Sequence, residues 1–79
     1  MQLQIARPTE KKLINILWID LQTPVGSFVI QPEHAPMIIA LKPDSFVTFA
    51  LENGAQESVA VKQGIAHVTR ESVTLLLNE

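Results

Sequence analysis

Apolar and polar residues change over in short runs along nearly the whole chain, a pattern typical of β-strands. The runs are residues 3–6, 13–21, 27–30, 37–41, 46–51, 58–62, 64–68 and 72–77. Turn residues separate them, among them Pro24 with Gly26 and the pair Asn53-Gly54, which is a strong hairpin signal. No segment keeps a helical period. The pattern predicts an all-β fold, a two-sheet antiparallel β-sandwich of about 8–10 short strands, as a single domain.

Two of these runs are apolar on both faces. Strict alternation in residues 13–21 assigns one face to Leu13, Leu17, Ile19 and Leu21, and the other to Ile14, Ile16 and Trp18. The same alternation in residues 37–41 assigns one face to Met37, Ile39 and Leu41, and the other to Ile38 and Ala40. An antiparallel sheet with one face in water should alternate apolar with polar residues. Either twist, loops and sheet edges hide the excess, or a partner protein covers an outer face.

Composition removes several classes of function. The formal net charge is −2, the basic residues are scattered, and one tryptophan and three phenylalanines form no stacking platform, so nucleic-acid binding is not expected. The absence of cysteine excludes disulfides and cysteine-bearing zinc motifs, and it fits a reducing compartment. No apolar run approaches the roughly 18 residues of a membrane helix. We therefore expect a protein that does not insert directly into a membrane.

The residues offer little support for chemistry. Glu33 and His34 are adjacent, but neighbours in an extended chain point to opposite faces, and no serine or threonine lies in an activating motif. His34 and His67 lack metal-ligand spacing, and the three glycines are isolated. We predict no catalytic residue, metal site or cofactor. Pro32 and Pro36 stiffen the segment around His34, which favours docking over catalysis.

The run VGSFVIQPEHAPMIIALKPD, residues 25–44, resembles the N-terminal β-domain of the epsilon subunit of F-type ATP synthases, called delta in mitochondria. That family typically has a turn glycine, a short strand, Pro-Gly-His-Ala-Pro, two apolar residues and Lys-Pro-Gly. The matching positions here are Gly26, Pro32, His34, Ala35, Pro36, Lys42 and Pro43. Residues 58–79 resemble the family's paired strands and its closing strand rich in valine and leucine, so the resemblance covers the chain from Leu3 onwards.

Four positions depart from the family pattern. Glu33 and Asp44 replace glycines, Gln63-Gly64 stands where Gly-Gly is usual, and Ser27 replaces a glutamate that would contact the membrane ring. The sequence also stops at Glu79, where the family continues into a helical hairpin that can inhibit ATP hydrolysis or bind ATP. We therefore expect no nucleotide site, in either a naturally short or a trimmed form.

The resemblance implies a ten-stranded sandwich and a non-catalytic role in the rotor's central stalk, coupling the gamma subunit to the ring of c subunits. It places the protein in the cytoplasm, peripheral to the cytoplasmic face of a bacterial inner membrane. The residues it implies for binding gamma and the c-ring are Gly26, Ser27, Phe28, Pro32, Glu33, His34, Ala35, Pro36, Met37 and Ile39. Two alternatives remain: a free-standing β-sandwich binding module outside the synthase, and a minor enzyme using His34 with Glu33.

Overall fold

The computed structural model describes residues 1–78, which form eight strands and no helix. The strands are β1 (Gln2–Arg7), β2 (Glu10–Thr23), β3 (Gly26–Ile30), β4 (Met37–Ala40), β5 (Ser45–Leu51), β6 (Gln56–Val61), β7 (Gly64–Val68) and β8 (Ser72–Leu77). Each run in the sequence is a strand, so the all-β prediction is confirmed. The count is the lower end of the predicted range, and the ten strands implied by the resemblance are not found in the described residues.

The strands form two layers that share β2. Sheet A has the order β4-β7-β8-β1-β2 and uses the first half of β2. Sheet B has the order β3-β2-β5-β6 and uses the second half of β2. β1 and β8 pair in parallel, and the other pairs are antiparallel.

A bulge at Leu17 lets β2 pass from one sheet to the other. Its pairing with β5 shifts register between Ile16 and Trp18, so Leu17 is an extra residue in the strand. An extra residue bends a strand and reverses which residues face inward. Ile16 is therefore buried on the same side as Ile19, two positions beyond the bulge. The strict alternation predicted for residues 13–21 is wrong for this reason: Leu13 and Leu17 are exposed, and Trp18 lies on the outer side of sheet B.

The core lies between the two sheets and receives alternate residues from the strands. Its buried apolar side chains are Leu3, Ile5, Ile16, Ile19, Leu21, Ile30, Leu41, Val47, Phe49, Val61, Ala66, Val68, Val73, Leu75 and Leu77. In residues 37–41 the predicted alternation is confirmed. Met37 and Ile39 pack against the core, and Ile38 and Ala40 point outward.

The loops at the two ends of the domain use different local chemistry. Thr23 pairs with Gly26 around Pro24 and Val25, and the buried Thr23 hydroxyl donates to the Gly26 carbonyl (2.7 Å) and accepts from the Val25 amide (3.2 Å). At the other end, residues 31–36, named here the His34 loop, cross from sheet B to sheet A. The Glu33 amide donates to the Arg70 carbonyl at 2.9 Å, which ties this loop to the β7–β8 turn.

Candidate docking surface

The outer face of sheet A carries a continuous set of apolar side chains. Strand register places Ala40, Ile65, Leu76 and Ala6 in one row across β4, β7, β8 and β1. Ile38 and Leu13 lie in the neighbouring row, towards its two ends. We call these six residues the apolar face. Strands are spaced about 4.8 Å apart, so the row spans roughly 15 Å.

Its larger side chains are open to solvent. The exposed fraction is 71% for Ile38, 63% for Leu13, 46% for Leu76 and 40% for Ile65. Isolated apolar residues are normal on protein surfaces, but a contiguous apolar patch marks an interaction site more often than chance. The polar residues interspersed in the second row are His67, Thr74 and Gln4.

A shallow groove of about 570 Å³ continues the apolar face at the end of the domain that holds the Thr23–Gly26 hairpin. Ala40, Ile65 and Leu76 line it together with Pro24 and Pro43. The groove therefore extends the same surface into a concavity lined mainly by apolar residues.

Gly64 fixes the spacing of β7 and β8 beside this groove. A Cβ atom at Gly64 would lie 2.6 Å from the carbonyl oxygen of Leu76 and 2.8 Å from a methyl carbon of Leu77. Those distances are too short for a side chain without movement of the backbone. The glycine retained from the family's Gly-Gly pair is thus the one at which the two strands approach closely.

The outer face of sheet B has a different character. Ser27 donates to Gln22 at 2.8 Å, Gln22 donates to Asp20 at 3.4 Å, and the Thr48 and Ser58 hydroxyls share a hydrogen bond at 3.1 Å. These bonds satisfy polar side chains within and across the strands. Val29 and Phe46 are exposed on this face, but the hydrogen-bonded residues separate them.

The His34 loop is ordered by its own backbone. Glu33 adopts a left-handed conformation with φ of 70°, and the His34 amide donates to the Gln31 carbonyl at 3.1 Å. The Nδ1 atom of His34 bonds the Ala35 carbonyl at 2.7 Å, so this ring nitrogen is directed to backbone and not to the Glu33 carboxylate. This arrangement holds the shape of the loop and does not pair Nδ1 of His34 with the Glu33 carboxylate.

The residues implied for partner binding occupy three environments. Gly26 and Ser27 are exposed at one end of β3, whereas residues 32–36 lie in the His34 loop at its other end. Phe28, Met37 and Ile39 are half-buried and pack against the core. The structure thus brings these residues into no single cluster, and their role in binding stays a prediction.

Sequence reasoning did not select Leu13, Ile38, Ile65 and Leu76 as interaction residues. The available signal was the alternation in β7, where Ile65 and His67 lie opposite the buried Ala66 and Val68. The rest required the register of β4, β7, β8 and β1, which brings residues distant in sequence into adjacent positions.

Across residues 1–78 there is no helix long and apolar enough to cross a membrane. Within the same residues no group of three or more histidine or acidic side chains is arranged to hold a metal ion.

The fold and this surface define a small β-sandwich with one apolar outer face, and comparison with known proteins gives its family. The family described as ATP synthase, Delta/Epsilon chain, beta-sandwich domain matches residues 1–79. The chain belongs to this family.

Individual relatives agree. The chain is 35% identical over 78 residues to the ATP synthase epsilon chain of Paracoccus denitrificans, covering 96% of this chain and 51% of that protein. It is 37% identical over 59 residues to the epsilon chain of Verminephrobacter eiseniae, covering 75% and 42% respectively. The chain thus spans about half the length of the curated relatives it matches.

Solved structures show the same fold. A chain in the Euglena gracilis mitochondrial ATP synthase, in an OSCP/F1/c-ring assembly, superposes with a TM-score of 0.90 at 22% identity, covering 98% of this chain and 49% of that one. A chain in the central stalk/c-ring of the Tetrahymena thermophila mitochondrial ATP synthase gives 0.80 at 14% identity, covering 100% and 63%. At these identities the likeness concerns the fold.

Proposed function

We propose that this protein is a non-catalytic subunit of the central stalk of an F-type ATP synthase, where it couples the gamma subunit to the c-ring. The observation that carries the proposal is a contiguous apolar face on sheet A in a domain of the Delta/Epsilon family. A subunit that transmits torque needs a firm attachment to its neighbours, and burial of apolar surface is the main source of such attachment. It needs no reactive group.

The gamma subunit is the partner that we assign to the apolar face. Ile38, at 71% exposed, and Leu76, at 46%, have large side chains that lose no hydrogen bonds to water when a partner covers them. The groove beside them offers space for a complementary side chain. Interfaces of this kind concentrate their energy in a few well-packed anchors. Pro32 to Pro36 and Gly26 to Ser27 flank the face at opposite ends, and we assign them to the rim of the contacts with gamma and the c-ring.

The proposed role also implies where the protein is located and that it catalyses no reaction itself. A stalk subunit stays in the cytoplasm and is held at the cytoplasmic face of a bacterial inner membrane through the c-ring. The role that we propose requires no cofactor or metal. The backbone-directed ring of His34 supports this interpretation over an enzyme that uses His34 with Glu33.

The proposal is tested by mixing this protein with the gamma subunit of the same genome and measuring the mass of the eluting species by size-exclusion chromatography with light scattering. We expect a one-to-one complex. Ile38→Asp places a charge in the apolar face and should weaken binding by about 100-fold or more, as for an interface anchor. Val29→Asp is the matched control on sheet B, where Val29 is 54% exposed, and it should leave binding within about twofold.

Two separate, folded monomers would contradict the stalk proposal and favour a free-standing binding module. Equal loss of binding in both variants would show that the apolar face is not the contact. Both side chains point away from the core, so we expect both variants to stay folded. Circular dichroism of each variant checks this.

A further inference from the structure

The turn between β5 and β6 contains the pair Asn53-Gly54, which is chemically reactive as well as suited to a turn. An asparagine side chain can be attacked by the backbone nitrogen of the following residue, and glycine in that place hinders the attack least because it has no side chain. Asn53 and Gly54 are both exposed, and a Cβ atom built at Gly54 would meet none of the described atoms within 4 Å. The space around the two reacting groups is therefore open.

The two other asparagines lie in less reactive surroundings. Asn15 is exposed in β2, but it precedes the buried Ile16, whose β-branched side chain hinders attack and whose amide is hydrogen-bonded. Asn78 has its side-chain amide bonded to Gln63 at 3.2 Å, and the residue after it is not glycine. Sequence and structure together therefore favour reaction at Asn53 among the three asparagines.

Hydrogen bonds of the turn hold the reacting groups of Asn53 and Gly54 in place. The Gly54 amide, which contains the attacking nitrogen, donates to the Leu51 carbonyl at 2.9 Å. The Oδ1 atom of Asn53 accepts from the Ala55 amide at 2.9 Å. The Gly54 nitrogen must lose its proton and approach Cγ of Asn53, so its bond to Leu51 has to break first. The closed turn is therefore the unreactive state.

We propose that Asn53 is the site at which this domain undergoes deamidation, and that the reaction proceeds from a locally opened turn. In the open turn the Gly54 nitrogen, after losing its proton to a base in the solvent, forms a bond to Cγ of Asn53. The side-chain nitrogen leaves as ammonia, and a succinimide remains. One water molecule then opens this ring to aspartate or to isoaspartate. The inference does not depend on the proposed function.

Local opening of this turn does not require the sheets to unfold. Residues 52–58 are all exposed, and exposed turns lie at the low end of the opening free energies within a protein. An opening populated at about one part in ten slows deamidation about tenfold relative to an unstructured peptide. The two products differ in effect. Aspartate keeps an oxygen acceptor for the Ala55 amide, whereas isoaspartate adds a carbon to the backbone and displaces the bond between Gly54 and Leu51.

The test incubates three samples in the same mildly alkaline buffer: the folded chain, its Ile5→Val variant and a synthetic peptide of residues 50–57. Peptide mapping with mass spectrometry measures aspartate and isoaspartate at each asparagine over time. The peptide is too short to form a stable hairpin, and Ile5→Val lowers global stability through a core residue of β1. In the folded chain we expect deamidation first at Asn53, about tenfold slower than in the peptide, and within about twofold of this rate in Ile5→Val.

Each other outcome would overturn a specific part of the inference. Faster reaction at Asn15 or Asn78 than at Asn53 would show that the site is wrong. A rate at Asn53 equal to that of the peptide would show that the turn gives no protection. A rate about fivefold higher in Ile5→Val, or no reaction in the folded chain while the peptide reacts completely, would show that global unfolding is required.

Discussion

The two sheets of this small domain hide their inner faces in the same core, but their outer faces differ. Sheet B presents Ser27, Gln22 and Asp20 as a hydrogen-bonded series, and the Thr48–Ser58 pair adds a second contact across strands. Sheet A presents Ile38, Ile65 and Leu76 without such bonds. The polar side chains of sheet B have hydrogen-bond partners within the domain, whereas the apolar side chains of sheet A are left in contact with water.

This difference shows how a domain of 79 residues combines folding with docking. A chain of this size buries only about 60% of the surface that its unfolded form exposes, so a large share of its apolar residues remains at the surface. The apolar residues concentrated on sheet A form the surface that we propose for docking. It also leaves sheet B suited to face solvent, which limits unspecific association.

The largest effect on stability that we expect comes from replacing a glycine of sheet A, and a glycine of sheet B provides the comparison. Gly64→Ala pushes β7 away from the Leu76 carbonyl, 2.6 Å from the new Cβ atom, and should lower the free energy of unfolding by about 2 kcal/mol. Gly26→Ala, in the β2–β3 hairpin of sheet B, has no atom within 4 Å but a φ of +129°. It should cost about 1 kcal/mol through backbone strain. Urea unfolding of both variants measures the difference.

Measuring the affinity of both variants for the gamma subunit extends this comparison of Gly64 with Gly26, because of the two glycines only Gly64 lines the groove beside the apolar face. Gly64→Ala should therefore weaken binding as well as stability, while Gly26→Ala, at the rim of the proposed contacts, should weaken binding less. A Gly64→Ala protein as stable as the unchanged chain would contradict the close strand approach.

A smaller effect is expected in the loop that joins the two sheets. Glu33 has φ of 70°, and Glu33→Gly should raise the free energy of unfolding by about 1 kcal/mol because glycine adopts this conformation without a steric penalty. Asp44, with φ of 54°, is the control. Asp44→Gly should change stability by about 0.5 kcal/mol or less, since aspartate tolerates the left-handed region better than glutamate. Thermal unfolding followed by circular dichroism resolves the two, and a destabilised Glu33→Gly would show that the strain argument is wrong.

The strands could be predicted from the sequence, because alternation and turn residues act locally. Asn53-Gly54 fixed the β5–β6 connection, with Gly54 at φ of +92°, and Ile38 was correctly separated from Met37 and Ile39. The bulge at Leu17 could not be predicted, since no proline or glycine marks it and it is recognised only from the pairing of β2 with β5. Its effect was to reverse the inward side, so the faces assigned to residues 13–21 were wrong.

The candidate site was less accessible to sequence reasoning than the fold. The motif around His34 is compact in sequence and specific to the family, so most of the predicted partner-binding residues were chosen from it. The apolar face instead comes from Leu13, Ile38, Ile65 and Leu76, which lie on four strands and meet only through the strand order. A parallel pairing of β1 with β8 is part of that order, and it depends on contacts between the two ends of the chain.

The central claim is that a partner covers the outer face of sheet A and leaves that of sheet B in water. Hydroxyl-radical footprinting with mass spectrometry tests it directly, by comparing oxidation of each side chain in the free protein and in the complex with the gamma subunit. The account predicts strong protection of Ile38, Ile65 and Leu76, with Val29 and Phe46 oxidised as in the free protein. Protection of Val29 and Phe46 with unchanged oxidation of Ile38 would contradict it.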